Sequence, residues 1–239
     1  MQTRYLPKHK IIDWLNSHEI NNYHIRNDNE FNYCVDVVGD VNLSYKKLQI
    51  IPIKFNIISG HFNCSNNIIK DLSFAPKLVH GDFDCSSNAL KTLKDAPQKI
   101  KGSFLCQRNA IESLKNAPQE VIGDFNCSHN KITSLQGITE IIGKNLICKN
   151  NQLTTIEFSS QKIGQSFYLD NNAIAQINIA DLPQTVNGFI SLLNNPIEQH
   201  INDTQFLSIS MLKVFLEKQQ LNQSITQHTQ IPKDDTFKI

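Results

Sequence analysis

The segment GDFDCSSN, residues 81–88, places a thiol, Cys85, between the carboxylates of Asp82 and Asp84 and follows it with two hydroxyls and an amide. Thiolates beside carboxylates can ligate a metal, and a Cys becomes a nucleophile when a base stands within hydrogen-bond reach. Each chemistry needs partners. A structural zinc site needs thiolates that converge tetrahedrally, and a nucleophile needs its His. The eight histidines are scattered along the chain, and Cys34, in NYCVDVV, has none nearby. No phosphate-binding loop, HExxH, GxSxG or dinucleotide fingerprint occurs, so no catalytic residue, cofactor site or metal site is expected.

What accounts for Cys85 is repetition. The segments GHFNCSNNIIKDL, GDFDCSSNALKTL, GSFLCQRNAIESL and GDFNCSHNKITSL align, and NLICKNNQLTTI follows them in phase. Their cysteines, Cys64, Cys85, Cys106, Cys127 and Cys148, are spaced 21 residues apart. Leu43 and Leu169 continue the column on either side, and Leu192 closes it after a two-residue insertion, giving eight copies. A fixed period of this length is the mark of a repeat solenoid, in which no copy buries its own apolar face and stacking fuses them into one core.

The columns specify the coil. Val41, Phe62, Phe83, Phe104, Phe125, Leu146, Phe167 and Ile190 stand two residues before the Cys position. Period-2 alternation therefore points both columns inward from a short strand. Further apolar columns run through Leu48, Ile69 and Leu90 and through Ile51, Leu72 and Leu93. Adjacent coils lie about 4.8 Å apart, so the thiols stack as small buried hydrophobes in a line, not in a tetrahedron. Asn67, Asn88, Asn109, Asn130, Asn151, Asn172 and Asn195 form a column three residues after the Cys. An amide side chain there can satisfy backbone groups of its own coil and of the next. Ala-Pro at 75–76, 96–97 and 117–118 withholds a backbone donor and disfavours a helical return, which predicts extended or 3₁₀ return segments.

The pattern Phe-x-Cys-x-x-Asn-x-Leu, with another apolar residue three positions on, resembles the core of leucine-rich repeats and covers residues 38–200. Among these it is similar to bacterial and phage-type arrays of GDFxCSxNxL repeats and to the short-repeat effectors of enteric pathogens, although it carries Ala-Pro where those effectors carry Leu-Pro. The resemblance implies an α/β-type repeat solenoid, right-handed, with parallel strands on a concave face. It also implies protein-protein interaction through that face. The ubiquitin-ligase activity of some such effectors resides in a large C-terminal domain; only about 40 residues follow the repeats here, so it is not implied.

The bulk properties restrict the function classes. The 239 residues carry 23 basic and 22 acidic side chains, net charge +1, so no global field recruits nucleic acid or an anionic membrane. With 40% apolar content the chain has material for a continuous core. No stretch reads as a signal peptide or a membrane span, which predicts reduced cysteines and a cytoplasmic protein, or one secreted into a host cell without a cleavable signal. Residues 1–37 are expected to form an N-terminal helix (7–17) plus a hairpin turning at RNDN. Residues 201–220 are expected to form a helical cap, started by Asp203 or Thr204 and packing Leu207, Met211, Val214 and Phe215. Residues 221–239 read as a polar flexible tail.

Between the inward columns lie outward ones, and these are what a coil shows to a partner. Asp82, Asp84, Asp124 and Asn126 make the first half polar and acidic, and Leu105, Ile147, Tyr168 and Phe189 make the second half apolar. A contiguous apolar strip on one sheet face points to recognition. The expectation is a non-enzymatic module binding a protein partner through these eight residues. Two alternatives remain open from sequence: a secreted bacterial effector that occupies a host protein, and a phage or intracellular structural component that associates with itself.

Overall fold

The computed structural model describes residues 6–30, 32–157, 162–201 and 207–229. They form a parallel β-solenoid with two sheets. Each copy contributes one short strand to each sheet, two residues long in all but Phe55–Ile58, as in Leu78–Val79 and Phe83–Asp84. The Phe-column strands, from Val41–Asn42 to Ile190–Ser191, pair in parallel as an eight-stranded sheet, Phe62 against Phe83 and Phe83 against Phe104. The second sheet was not anticipated from the columns. Its repeat strands point Ile58, Val79, Ile100, Val121, Ile142, Ile163 and Val186 inward, each four residues before the Phe position, and all are buried. The return segments are otherwise irregular, with 3₁₀ turns at Ile179–Asp181 and Pro196–His200.

Between the two strands of a coil the chain turns a corner at glycine. The amide of Gly81 donates to the carbonyl of Gly60 (2.8 Å), Gly102 to Gly81 (3.0 Å) and Gly123 to Gly102 (2.8 Å). These backbones approach so closely that a Cβ on Gly102 would lie 2.6 Å from the carbonyl carbon of Gly81. Close approach, not a left-handed φ, selects glycine here. Left-handed backbone falls elsewhere, on the residue before each ladder Asn: Asn66 (φ 55°), Ser87 (52°), Arg108 (55°), His129 (54°), Asn150 (56°), Asn171 (57°) and Asn194 (57°). Asn tolerates that region better than most residues, which explains the Asn-Asn pairs in several copies.

The interior is one continuous cluster. Phe62, Phe83 and Phe104 stack ring on ring at 5.5 and 5.9 Å, and Phe125 meets Phe104 edge-on at 5.1 Å. The five column cysteines are free and have no exposed surface, as the alternation predicts, and Cys127 Sγ lies 3.3 Å from Cys148 Sγ. The asparagine column also behaves as expected. Asn130 Nδ2 donates to the carbonyls of Cys106 (3.1 Å) and Cys127 (3.0 Å), and its Oδ1 accepts the amide of Ile111 (3.0 Å). One side chain thus ties two adjacent coils' backbones together at three points.

At the N-terminal end, α1 (Lys8–Ser17) buries Ile11 and Leu15, with Trp14 edge-on to Phe55 at 6.5 Å. A hairpin of β1 (Tyr23–Asp28) and β2 (Asn32–Val37) extends the second sheet to nine strands, β2 pairing in parallel with Phe55–Ile58. RNDN is not its turn: β1 runs through Arg26–Asp28, and Asp28 Oδ1 accepts the amide of Glu30 at the reversal (2.9 Å).

At the other end Leu207 is not helical. It forms an antiparallel bridge to Ile190 (2.7 and 3.1 Å) and is buried. The helix α2 (Ile209–Thr229) begins after it, with Ser208 Oγ accepting the amide of Met211 (3.2 Å) as a cap, and it runs past residue 220. The Asp203 and Thr204 caps and the tail from residue 230 lie outside the described residues. Leu212 and Leu216 pack inward, whereas Met211 (57%) and Val214 (50%) are exposed. The sequence offers apolar residues on two sides of this helix, and the orientation taken by the chain leaving the bridge decides which side is buried. Among the described residues no helix is long and apolar enough to cross a membrane.

Candidate functional site

The outer face of the eight-stranded sheet carries all eight residues singled out from the sequence, and every one of them is half-buried. The structure divides them into two groups. Asp82 and Asp124 belong to a side-chain ladder that holds consecutive coils together. Asp40 Oδ1 accepts the amide of His61 (2.7 Å), and His61 Nδ1 accepts that of Asp82 (3.0 Å). Asp82 Oδ1 accepts Ser103 (2.6 Å), Ser103 Oγ accepts Asp124 (3.1 Å), and Asp124 Oδ1 accepts Asn145 (2.9 Å). Asn145 Oδ1 and Ser166 Oγ carry the ladder on to Ser166 (3.0 Å) and Phe189 (3.3 Å). For His61 to accept, its ring proton must sit on Nε2.

Asp84 and Asn126 are likewise engaged within the fold. Each accepts the amide two residues on, Asp84 from Ser86 (2.9 Å) and Asn126 from Ser128 (3.1 Å), as Asn42 does from Ser44 (3.0 Å) and Asn63 from Ser65 (2.9 Å). These are Asx turns, a local bond that Asn and Asp make readily. The acidic flank is therefore largely backbone-capping, and its carboxylates reach a partner only with the oxygen the fold leaves over.

Leu105, Ile147, Tyr168 and Phe189 remain as the surface with no such structural duty for their side-chain ends. Tyr168 meets Phe189 edge-on, centroids 5.3 Å apart. Lys149 Nζ lies 4.5 Å from the Tyr168 ring centroid and 2.7 Å from Asp170 Oδ2. Asp170 is only 4% exposed, and its other oxygen accepts from Ser191 Oγ and from the amide of Leu193 (3.1 Å). A buried carboxylate with a single adjacent cation fixes that cation in place, and the cation in turn holds the aromatic face. Lys149 and Asp170 were not among the residues singled out. Their signal was present in the column after the Cys, which changes from Ser44, Ser65, Ser86 and Ser128 to Gln107, Lys149, Asp170 and Leu193.

Other chemistry-bearing groups are occupied. Burial pushes the thiols of Cys64, Cys85, Cys106 and Cys148 well up, and that of Cys34 up, with the charges of Asp28 and Asp36 adding to the effect at Cys34. A thiol held protonated is a poor nucleophile and a poor ligand. At the opposite end of the same face a polar cleft of about 350 Å³ opens between the end of α1 and the first coil, lined by His18, Glu19, Asp40, Asn42, Ser44 and Lys46. Comparison with protein-family models and with curated proteins finds no match to this chain.

Proposed function

We propose that this chain is a protein-recognition solenoid of leucine-rich-repeat type, with the outer face of the Phe-column sheet as its concave binding surface. Residues 105–193 of that face make the contact, Ile147 and Tyr168 serving as anchors. The carrying observation is the cluster of Ile147, Tyr168 and Phe189 around a fixed Lys149, on a face whose other coils show polar residues bonded to their own backbone. A rigid aromatic with an immobilised cation beside it loses little side-chain entropy on binding, which is the quality that distinguishes hot spots from merely covered area. The terminal helices and the hairpin serve as caps that cover the ends of the stack.

The test is affinity capture followed by mass spectrometry, comparing the natural chain with an Ile147→Ala, Tyr168→Ala double variant and titrating each recovered protein. A partner whose affinity drops at least about tenfold in the variant, with an unchanged unfolding midpoint, supports the reading. Partners that bind both forms equally remove this face from the function.

A further inference from the structure

Wherever the residue after the Phe position is Asn or Asp, its side chain accepts the amide two residues on: Ser44, Ser65, Ser86 and Ser128 are all served in this way. Leu105, Ile147 and Tyr168 occupy the same position and have no acceptor to offer. The amides they leave behind, those of Gln107, Lys149 and Asp170, have no hydrogen-bond partner among the described residues. At the last coil the pattern is repaired from outside, since Asp170 Oδ1 accepts the amide of Leu193. The apolar side chains and the open amides thus coincide coil for coil. Gln107 and Lys149 are half-exposed, while Asp170 is 4% exposed, so its amide is the one that water can serve least.

Resting on the recognition surface proposed above, we infer that its occupant is an apolar peptide segment whose main-chain carbonyls accept from the amides of Lys149 and Asp170, and farther along from Gln107. The first two donors sit on adjacent coils, about 4.8 Å apart. Three features select this chemistry. The open main-chain groups are donors, so the ligand must bring acceptors; Gln107 Oε1 also lacks a partner among the described residues but is buried out of a ligand's reach. Of the neighbouring carboxylates, Asp170 has both oxygens engaged, by Lys149, Ser191 and Leu193, and Asp124 gives Oδ1 to Asn145 and keeps only Oδ2, so the many hydroxyl donors of a sugar would meet few acceptors there. Lys149, the cation beside Tyr168, is neutralised by Asp170, so an anionic ligand finds no spare counter-charge there. Carbonyls of a peptide with aliphatic or aromatic side chains, laid against Ile147, Tyr168 and Phe189, satisfy all three.

The probe is a displayed library of random peptides selected on the full chain, with hydrogen exchange at single-residue resolution as the readout. Selected peptides should be rich in aliphatic and aromatic residues. Their binding should slow exchange at Lys149 and Asp170 at least about tenfold, and changing the contacting peptide amide to an ester, a weaker acceptor, should weaken binding about three- to tenfold. An Ile147→Asn, Tyr168→Asn variant, which restores the internal acceptors, should bind no selected peptide and should show the same amides protected in its free state. If Ile147→Ala, Tyr168→Ala leaves peptide affinity unchanged, the face itself is not the binding surface and the underlying function falls. If that variant loses binding while exchange at Lys149 and Asp170 is the same in complex and free protein, the face stands and the carbonyl-accepting role is overturned. Protection that appears only on concentrating the protein alone, or only with oligosaccharides, assigns the surface to a second copy or to a sugar and overturns the peptide assignment, as does a selection that yields no binder dependent on Ile147 and Tyr168.

Discussion

Replacing Asn130 by Ala tests the account of what holds the coils together, because its bonds can be followed one by one. Asn130 is 8% exposed and sits mid-array. Its Nδ2 serves the carbonyls of Cys106, Cys127 and Ser128, yet each of these has a second donor: Asn109 on Cys106 (3.1 Å), Asn151 on Cys127 (3.1 Å) and the amide of Arg108 on Ser128 (3.0 Å). Only the amide of Ile111, accepted by Oδ1, is left with nothing. One orphaned buried amide costs about 1–3 kcal/mol, and two or three weakened carbonyls add about 0.5 kcal/mol each, so Asn130→Ala should destabilise by about 2–4 kcal/mol. The shared carbonyls make a sharper forecast. In Asn109→Ala, Asn130→Ala the carbonyl of Cys106 loses both donors, so the pair should cost about 1 kcal/mol more than the sum of its parts. Asn88→Ala, Asn130→Ala shares no carbonyl and should be additive. Urea unfolding at equal m-values measures all of these. A cost below about 0.5 kcal/mol for Asn130→Ala, or the same coupling in both pairs, would refute the ladder as a load-sharing network.

Further expectations follow from the same geometry. In native protein at pH 8 the column thiols should react with a disulfide reagent only as fast as the chain unfolds, Cys34 being the first to label; complete labelling within the mixing time would contradict the raised thiol pKa values and the zero exposure of the column. Gly102→Ala should cost more than about 2 kcal/mol, since its Cβ meets the Gly81 backbone at 2.6 Å, whereas Gly39→Ala, with open space around it and φ +113°, should cost only about 1 kcal/mol; thermal melts that rank them the other way would undo the corner argument. Ile147→Asn should leave stability within about 1 kcal/mol of the natural chain, because the acceptor it brings to the Lys149 amide offsets the lost half-buried apolar area. Leu146→Asn, one residue inward and fully buried, should cost several times that in the same denaturation assay.

The period, the strand that carries Phe and Cys, the direction of both side chains and the role of the asparagines were all legible in the sequence, because each repeats in a column and each is inward. The second sheet was legible in principle, in the column Ile58, Val79, Ile100, Val121, but a strand of two residues has no period of its own to recognise, and the columns read were those anchored on Cys. The structural role of Asp82 and Asp124 was hidden for a different reason. A carboxylate that caps the next coil's amide and one that waits for a partner look the same as polar residues in an outward column. What separates them is that the column up to its last coil, Asp40, His61, Asp82, Ser103, Asp124, Asn145 and Ser166, is built of side chains with an acceptor and contains no Lys, Arg or Glu. Helix α2 went astray at its start because the bridge of Leu207 to Ile190 is a tertiary contact, invisible to local periodicity.

The two outward columns differ in what the fold demands of them, and this bears on where function can reside. Before the Phe position an acceptor is present in every coil from Asp40 to Ser166, since the neighbouring carbonyls at that corner, those of the glycines up to Gly123 and then of Lys144 and Gln165, are each taken by an amide of the following coil. Losing one there would orphan a half-buried donor. After the Phe position the corresponding amide lies on the outer face, and the acceptor is missing in three coils without interrupting the strand pairing of Phe104–Leu105, Leu146–Ile147 or Phe167–Tyr168. That second column is therefore where the solenoid tolerates a change of chemistry. Leu105, Ile147 and Tyr168 each forgo the bond that an Asn there would make, and their half-buried apolar area does little more than offset it, so the stability of the free protein does not account for them. A ligand that returns that bond and covers the apolar side chains accounts for both departures at once.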